Sequence, residues 1–291
     1  MTYKEKKYSG LQKFSKESFP SSIPLHKAKK SLGQNFLKSL PALKMMCDQG
    51  EIINDDTIVE IGPGKGALTQ RLLEKSNRVI AIEKDRELVD ILKERFAEEI
   101  KNKKLEIVEG DCLDFEPKNY NFKNNKYKII ANIPYNITGA ILKKFLTCDK
   151  QPERMILLVQ HEVARRIVAN DNKESILSLS VKAYGIPKYI MKVGKRFFSP
   201  SPKVDSAIIA INNISNKNFD NKSEENSFFN IIKAGFAHKR KILRKNLEEI
   251  GSISTIDNMY RDLNIDIKTR AEDLQFSTWI KINKYFQKIK Q

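Results

Sequence analysis

The chain has 291 residues, 40% of them apolar, which is material for one sizeable core and a smaller satellite domain. Lys and Arg number 53 against 36 Asp and Glu, a formal net charge of +17 that draws in polyanions, although an AT-rich genome spelling surface positions as Lys and Asn gives the same surplus. Three cysteines (Cys47, Cys112, Cys148) without a Cys-x-x-Cys pair argue against a disulfide framework or structural zinc, and no apolar run approaches the ~20 residues of a membrane span.

Residues 1–30 read as a basic, flexible arm without the apolar core of a secretory signal. Periodic sequence begins near Ser31. Residues 57–61 form a first strand, followed by the turn Gly62-Pro63-Gly64-Lys65-Gly66 and a helix over 67–75. A second strand, 78–82, closes on Glu83, and Leu88, Ile91, Leu92, Phe96 and Ile100 recur at helical spacing after it. A third strand, 105–108, leads to Asp111. A fourth, 127–131, leads to Asn132-Ile133-Pro134-Tyr135 and a helix over 137–146. A fifth, 155–159, precedes another helix, and 188–193 and 204–211 read as the last strands. The alternation predicts an α/β fold with a doubly wound parallel sheet over 31–215, whose ligand crevice lies beyond the carboxyl ends of the strands. Polar 216–227 reads as a linker, and 228–291 as a small all-α domain.

The glycines after strand one, Glu83 after two, Asp111 after three and Asn132 after four all point into that crevice. The Gly-rich turn lacks the third glycine of a dinucleotide fingerprint, since Ala67 stands there, and the Gly-Lys-Ser/Thr of a Walker loop. An ordinary tight turn is the plain alternative. Glu83 suits a pair of ribose hydroxyls, or else a helix N-terminus. Asp111 suits an adenine amine, or else a helix cap. Together the spacing fits S-adenosylmethionine better than NAD.

Asn132-Ile133-Pro134-Tyr135 points to the reaction. The lone pair of an exocyclic adenine amine is delocalised into the ring, so the nitrogen is a poor nucleophile. Its hydrogens need two acceptors, which the Asn132 amide oxygen and the Ile133 carbonyl supply. Pro134 restricts φ, and the Tyr135 ring offers a stacking surface worth roughly 1–3 kcal/mol. Catalysis of this kind is mostly positioning. A proline turn with a buried tyrosine is the alternative, and the motif does not distinguish DNA, RNA or a protein amide.

These stretches, together with Ser31-Leu32-Gly33-Gln34-Asn35-Phe36-Leu37, the run Val159 through Arg166, the run Phe198-Ser199-Pro200-Ser201-Pro202-Lys203-Val204-Asp205-Ser206 and the run Phe236 through Leu243, resemble the ribosomal RNA adenine dimethyltransferases of the KsgA/RsmA type. The resemblance implies a Rossmann-like S-adenosylmethionine-dependent methyltransferase sheet with a small helical C-terminal domain, giving S-adenosylhomocysteine as product and using no metal. It implies N6,N6-dimethylation of two adjacent adenines in a 3′-terminal hairpin of small-subunit rRNA, on an immature 30S-type subunit, by a cytoplasmic monomer without membrane contact. Cofactor positions carried over are Asn35, Leu37, Gly62, Glu83, Asp111 and Asn132, with Asn35 and Leu37 at the methionine end. Asn132, Tyr135 and Phe198 become the catalytic set, Phe198 facing the target base opposite Tyr135. That base must be unstacked to enter. His161 and His238-Lys239 depart from the family pattern.

A helix carrying Lys239, Arg240, Lys241, Arg244 and Lys245 is expected to contact RNA phosphates, with Arg165 and Arg166 contributing, although a solvated face explains a charge run equally well. Three rivals remain on sequence alone. One is the related dimethyltransferase acting on large-subunit RNA, another is an assembly or transcription factor, and the most distant is an NAD oxidoreductase.

Overall fold

The computed structural model describes residues 26–122, 126–169 and 171–289. Most of the expected arm lies outside the described residues. Its last residues, from His26, are docked on the core, and His26 is 9% exposed.

In chain order the elements are β1 (Phe36–Leu37), α1 (Leu40–Gln49), β2 (Thr57–Ile61), α2 (Ala67–Leu73), β3 (Arg78–Glu83), α3 (Arg86–Arg95), α4 (Ala97–Lys101) and β4 (Leu105–Glu109). Then follow β5 (Lys128–Asn132), α5 (Thr138–Thr147), β6 (Arg154–Gln160), α6 (His161–Val168), α7 (Ile176–Lys182), β7 (Ile186–Val193), β8 (Phe198–Ser199) and β9 (Ser206–Asn212). The C-terminal helices are α8 (Lys222–Gly235), α9 (Leu243–Leu247), α10 (Ile253–Asp262) and α11 (Phe276–Ile289).

Among the described residues the main sheet runs β4-β3-β2-β5-β6-β9-β7. β4 to β6 are parallel, as expected, but β9 is antiparallel to both β6 and β7, so the sheet is mixed. The connection from β7 to β9, residues 194–205, contains no α-helix to carry the chain across the sheet face, and the chain returns beside β7 in the opposite direction. The direction of strand addition reverses between β2 and β5, which defines the topological switch point.

Both faces of the sheet are covered. Along β6, Met155, Leu157 and Val159 enter one apolar cluster while Ile156 and Leu158 enter the other, the two-residue period of a strand. The first cluster continues without a break into Phe228, Ile232, Trp279 and Ile282 of the C-terminal helices.

Two local expectations are corrected. α8 begins at Lys222, inside the stretch expected as linker. The Asn221 side chain caps it by accepting from the Glu224 amide at 3.0 Å, and the buried Glu225 accepts from the Tyr184 hydroxyl at 2.6 Å. Polar residues that looked like linker are thus a cap and a tertiary anchor. The basic run is also not one helix: α9 starts only at Leu243, and residues 237–241 turn between α8 and α9. Asn246 donates to the Gly235 carbonyl at 2.6 Å and to the His238 carbonyl at 3.2 Å, which closes the end of α8. Clustered cations oppose a continuous helix there. Among the described residues no helix is long and apolar enough to cross a membrane.

Candidate active site

The switch point opens into a cleft of about 610 Å³ at the carboxyl ends of β2 to β5, and residues 31–38 of a strap that runs from His26 close one side of it. Asn35, Leu37, Gly62, Glu83, Asp111, Asn132 and Tyr135 all line it. Two glycines of the turn after β2 take left-handed backbone that L side chains rarely adopt. Gly62 has φ 65°, and a Cβ there would meet only the Asn132 carbonyl at 3.9 Å, so the position faces open cleft. Gly64 has φ 60°, and a Cβ would come within 2.9 Å of the Phe36 ring, so the strap packs directly on the turn.

Glu83 ends β3 and is 6% exposed. Its Oε2 accepts from the Gly64 amide at 3.1 Å and its Oε1 from the Asp85 amide at 3.0 Å. Burial pushes its carboxyl above the usual range, partly offset by those amides. The carboxylate, with about four acceptor sites, keeps capacity for a ligand hydroxyl. Asp111 caps a turn rather than a helix and holds a lysine on the cleft wall. Its Oδ1 accepts from the Leu113 amide at 2.9 Å as a turn cap, and its Oδ2 holds Lys84 Nζ at 2.9 Å on the cleft wall. The Leu113 amide, then Lys84, hold its carboxyl below the usual range.

Asn132 ends β5, and its Nδ2 donates to the Asn35 carbonyl at 3.0 Å. That bond orients the amide and leaves Oδ1 as the acceptor. Pro134 has φ −60° and leads into the turn carrying Tyr135. The Tyr135 hydroxyl lies 2.5 Å from Ser206 Oγ at the start of β9, and Ser206 is fully buried. Burial raises the phenol pKa, so the ring is a neutral, tethered surface.

Phe198 is placed differently from the expectation. It is 4% exposed and outside the cleft lining, whereas its neighbour Ser199 lines it. β8 pairs with β1, Phe198 opposite Leu37, and strand alternation turns the ring into the core with Val193 and Ile208. Arg165 and Arg166 are exposed on α6, and Lys239, Arg240 and Lys241 are exposed in the turn after α8. Arg244 instead faces Asp257, with Nε to Oδ1 at 2.7 Å, and Glu248 at 3.0 Å. His161 packs edge-on against Tyr189, and His238 is exposed.

Four residues in or near the cleft have features that sequence reasoning missed. Ser206 and Gln34 stood in quoted motifs without an assigned partner. Asp85, 2% exposed, stands two positions after Glu83, which was its only signal. A fourth, Glu60 in the Gly-rich motif, is 1% exposed with Oε2 unpartnered, and burial pushes its pKa up to about 8. An acid whose folded pKa lies above its unfolded value loses stability as pH rises between the two. Glu60→Gln is therefore expected to melt increasingly above the parent protein from about pH 5 to about pH 8, with the gap flat beyond, as read by calorimetry across pH. A constant gap across that window would show that Glu60 is not titrating there.

A sheet whose Gly-rich turn, buried acid and amide-bearing loop meet at one switch point is that of a methyltransferase of the Rossmann-like class. Solved structures share the fold. One is the 23S rRNA methyltransferase ErmE, with TM-score 0.73 and 22% identity, covering 87% of this chain and all of the other. Another is a dimethyladenosine transferase from Plasmodium falciparum, with TM-score 0.72 and 24% identity, covering 87% of this chain and 98% of the other. The family described as ribosomal RNA adenine dimethylase matches residues 25–288. Proteins named ribosomal RNA small subunit methyltransferase A are 37% identical over 258 residues in Dehalococcoides mccartyi, covering 88% of this chain and 87% of the relative. In Fusobacterium nucleatum the identity is 35% over 264 residues, covering 90% and 98%. The chain belongs to the ribosomal RNA adenine dimethylase family.

Proposed function

We propose that this chain transfers methyl groups from S-adenosylmethionine to N6 of two adjacent adenines in a 3′-terminal hairpin of small-subunit rRNA. The substrate would be an immature 30S-type subunit in the cytoplasm, with the protein acting as a monomer and without a metal. The observation that carries the reading is the Asn132 amide on the cleft wall, whose nitrogen is committed to the Asn35 carbonyl and whose oxygen is left as an acceptor.

The cleft fits the cofactor on its own evidence. Gly62 leaves open space where a side chain would stand, and the buried Glu83 carboxylate keeps free lone pairs beside it. Glu83 would hold the ribose, Asp111 the adenine, and Asn35 with Leu37 the methionine end. Bound there, S-adenosylmethionine supplies an electrophilic methyl on a sulfonium. The chain's own work is to place the nucleophile. Asn132 Oδ1 and the Ile133 carbonyl accept the amine hydrogens, which favours a pyramidal nitrogen with its lone pair exposed. Tyr135, fixed through Ser206, presents a ring to the base. No strong base is needed, because the amine proton becomes acidic as the new bond forms. Phosphate contact would fall to the exposed Arg165, Arg166, Lys239, Arg240 and Lys241, while Arg244 is committed to its carboxylate partners.

The direct test is mass mapping of methylated adenines in rRNA from cells with and without the protein, alongside radiolabelled transfer to immature 30S subunits. Loss of a dimethylated adenine pair from small-subunit RNA supports the proposal. Loss from large-subunit RNA, or subunit binding without transfer, overturns it. Tyr135→Phe keeps the ring and loses the tether, so transfer is expected to fall only a few-fold. Tyr135→Ala loses stacking worth roughly 1–3 kcal/mol, about ten- to a hundredfold in rate. Subunit affinity, dominated by phosphate contacts, should hardly change in either variant. Equal losses of rate and affinity would remove stacking as the role of Tyr135.

A further inference from the structure

Besides the β1–β8 pairing and the packing of Phe36 on Gly64, the strap is anchored by one buried side chain outside the cleft. Asp85 caps α3 by accepting from the Glu87 amide at 3.2 Å. The same carboxylate gathers three strap residues: Oδ1 accepts from Lys29 Nζ at 2.7 Å, and Oδ2 accepts from Gln34 Nε2 at 2.7 Å and meets His26 Nε2 at 3.0 Å. Gln34 Oε1 in turn accepts from the Lys29 amide at 2.8 Å, so its side chain is fixed at both ends. The next residue is Asn35, whose carbonyl receives the Asn132 amide. On the other side, the Asp85 amide donates to Glu83 Oε1. Asp85 thus stands between the acid assigned to the ribose and, through Gln34 and Asn35, the amide assigned to the adenine amine.

We propose that Asp85 is a positioning residue that docks strap residues 26–38 over the cofactor cleft, and that this docking sets the orientation of the Asn132 amide. The proposal rests on the methyltransferase reading above and assigns Asp85 no contact with either substrate. Displacing Gln34 moves Asn35 with it, because adjacent Cα atoms are only ~3.8 Å apart across a trans peptide. The Asn132 nitrogen then loses its fixed acceptor and the amide is free to turn. Burial opposes the Asp85 charge, but Lys29, Gln34 and His26 together hold its carboxyl at about 2, so the latch stays ionised at any ordinary pH.

The test uses the full chain with Asp85→Asn, Gln34→Ala and the double variant. Asp85→Asn keeps an oxygen for the α3 cap, and Gln34→Ala leaves α3 untouched, so a fold defect in one does not affect the other. Each single variant should weaken S-adenosylmethionine binding, read by titration calorimetry, about tenfold, the scale of one charge-assisted hydrogen bond. Each should also speed amide hydrogen exchange across 26–38, lower the maximal methylation rate, and leave subunit affinity within about twofold. Because the two side chains act through one contact, the double variant should match the weaker-binding single variant rather than show the product of the two effects. Unchanged strap exchange in both single variants, or multiplicative losses in the double variant, overturns the latch. Exchange is read without cofactor, so a parent protein that fails to bind S-adenosylmethionine would sink the functional reading while the docking role of Asp85 is still decided.

Discussion

Asn132→Ala is expected to lower methyl transfer by about a hundred- to a thousandfold, the scale on which removal of one preorganised polar group at a reacting centre acts. The side chain removed is the acceptor for an amine hydrogen, and its own nitrogen is tied to the Asn35 carbonyl at 3.0 Å. Alanine loses the acceptor and leaves that carbonyl without its donor. No phosphate contact is assigned to the residue, so affinity for the subunit should stay close to that of the parent protein. Single-turnover transfer from labelled cofactor separates the two quantities. Near-normal single-turnover rates in the variant would end the proposed role of Asn132, whatever the steady-state rate.

Glu83→Ala should act on the cofactor instead. The carboxylate is buried at the end of β3 and organises the Gly64 and Asp85 amides while offering lone pairs to a diol. Loss of a hydrogen bond to a charged group costs about 1.5–3 kcal/mol, so S-adenosylmethionine should bind roughly ten- to a hundredfold more weakly. The pH dependence follows from the direction of its shift. Burial raises the Glu83 pKa, so on acidification it takes up a proton earlier than an exposed glutamate would. Affinity in the parent protein should therefore fall as pH drops through that raised value. Glu83→Gln, which cannot ionise, should bind weakly throughout and lose that acid dependence. Calorimetric titrations at several pH values read both effects. A Gln variant that keeps the parent's pH profile would place the titrating group elsewhere.

The parts of the molecule that were legible in advance are those whose signal is local. β2 is a run of five buried residues, Thr57–Ile61, that stops at a glycine turn, and strand, turn and helix each declare themselves within a few residues. The residues at the ends of β2 to β5 could be placed in one crevice because alternation of strand and helix forces a parallel sheet, and a parallel sheet puts its carboxyl ends together. Asn221 to Ser227 failed as linker because composition does not reveal whether an Asn is a cap or whether Glu225 has a tyrosine hydroxyl waiting for it 41 residues earlier. The basic run failed as a helix because its continuity was decided by Asn246 reaching back to the end of α8. Phe198 was assigned by motif alone, and the direction of its ring depended on the pairing of β8 with β1, strands of two residues that leave almost no periodicity to read.

The amino-acid order alone specified the class of fold and the crevice at the carboxyl ends of the strands, since each rests on period and turn residues present within a short window. Tertiary structure alone decided which groups are free to act. Asn132 is oriented by a carbonyl 97 residues away, Asp85 is joined to a strap 51 to 59 residues before it, and Arg244 is turned to Asp257. Such partners are set by packing of distant segments, where a buried polar group left unpaired costs more than the pairing gains, and local sequence carries no record of which distant group answers it.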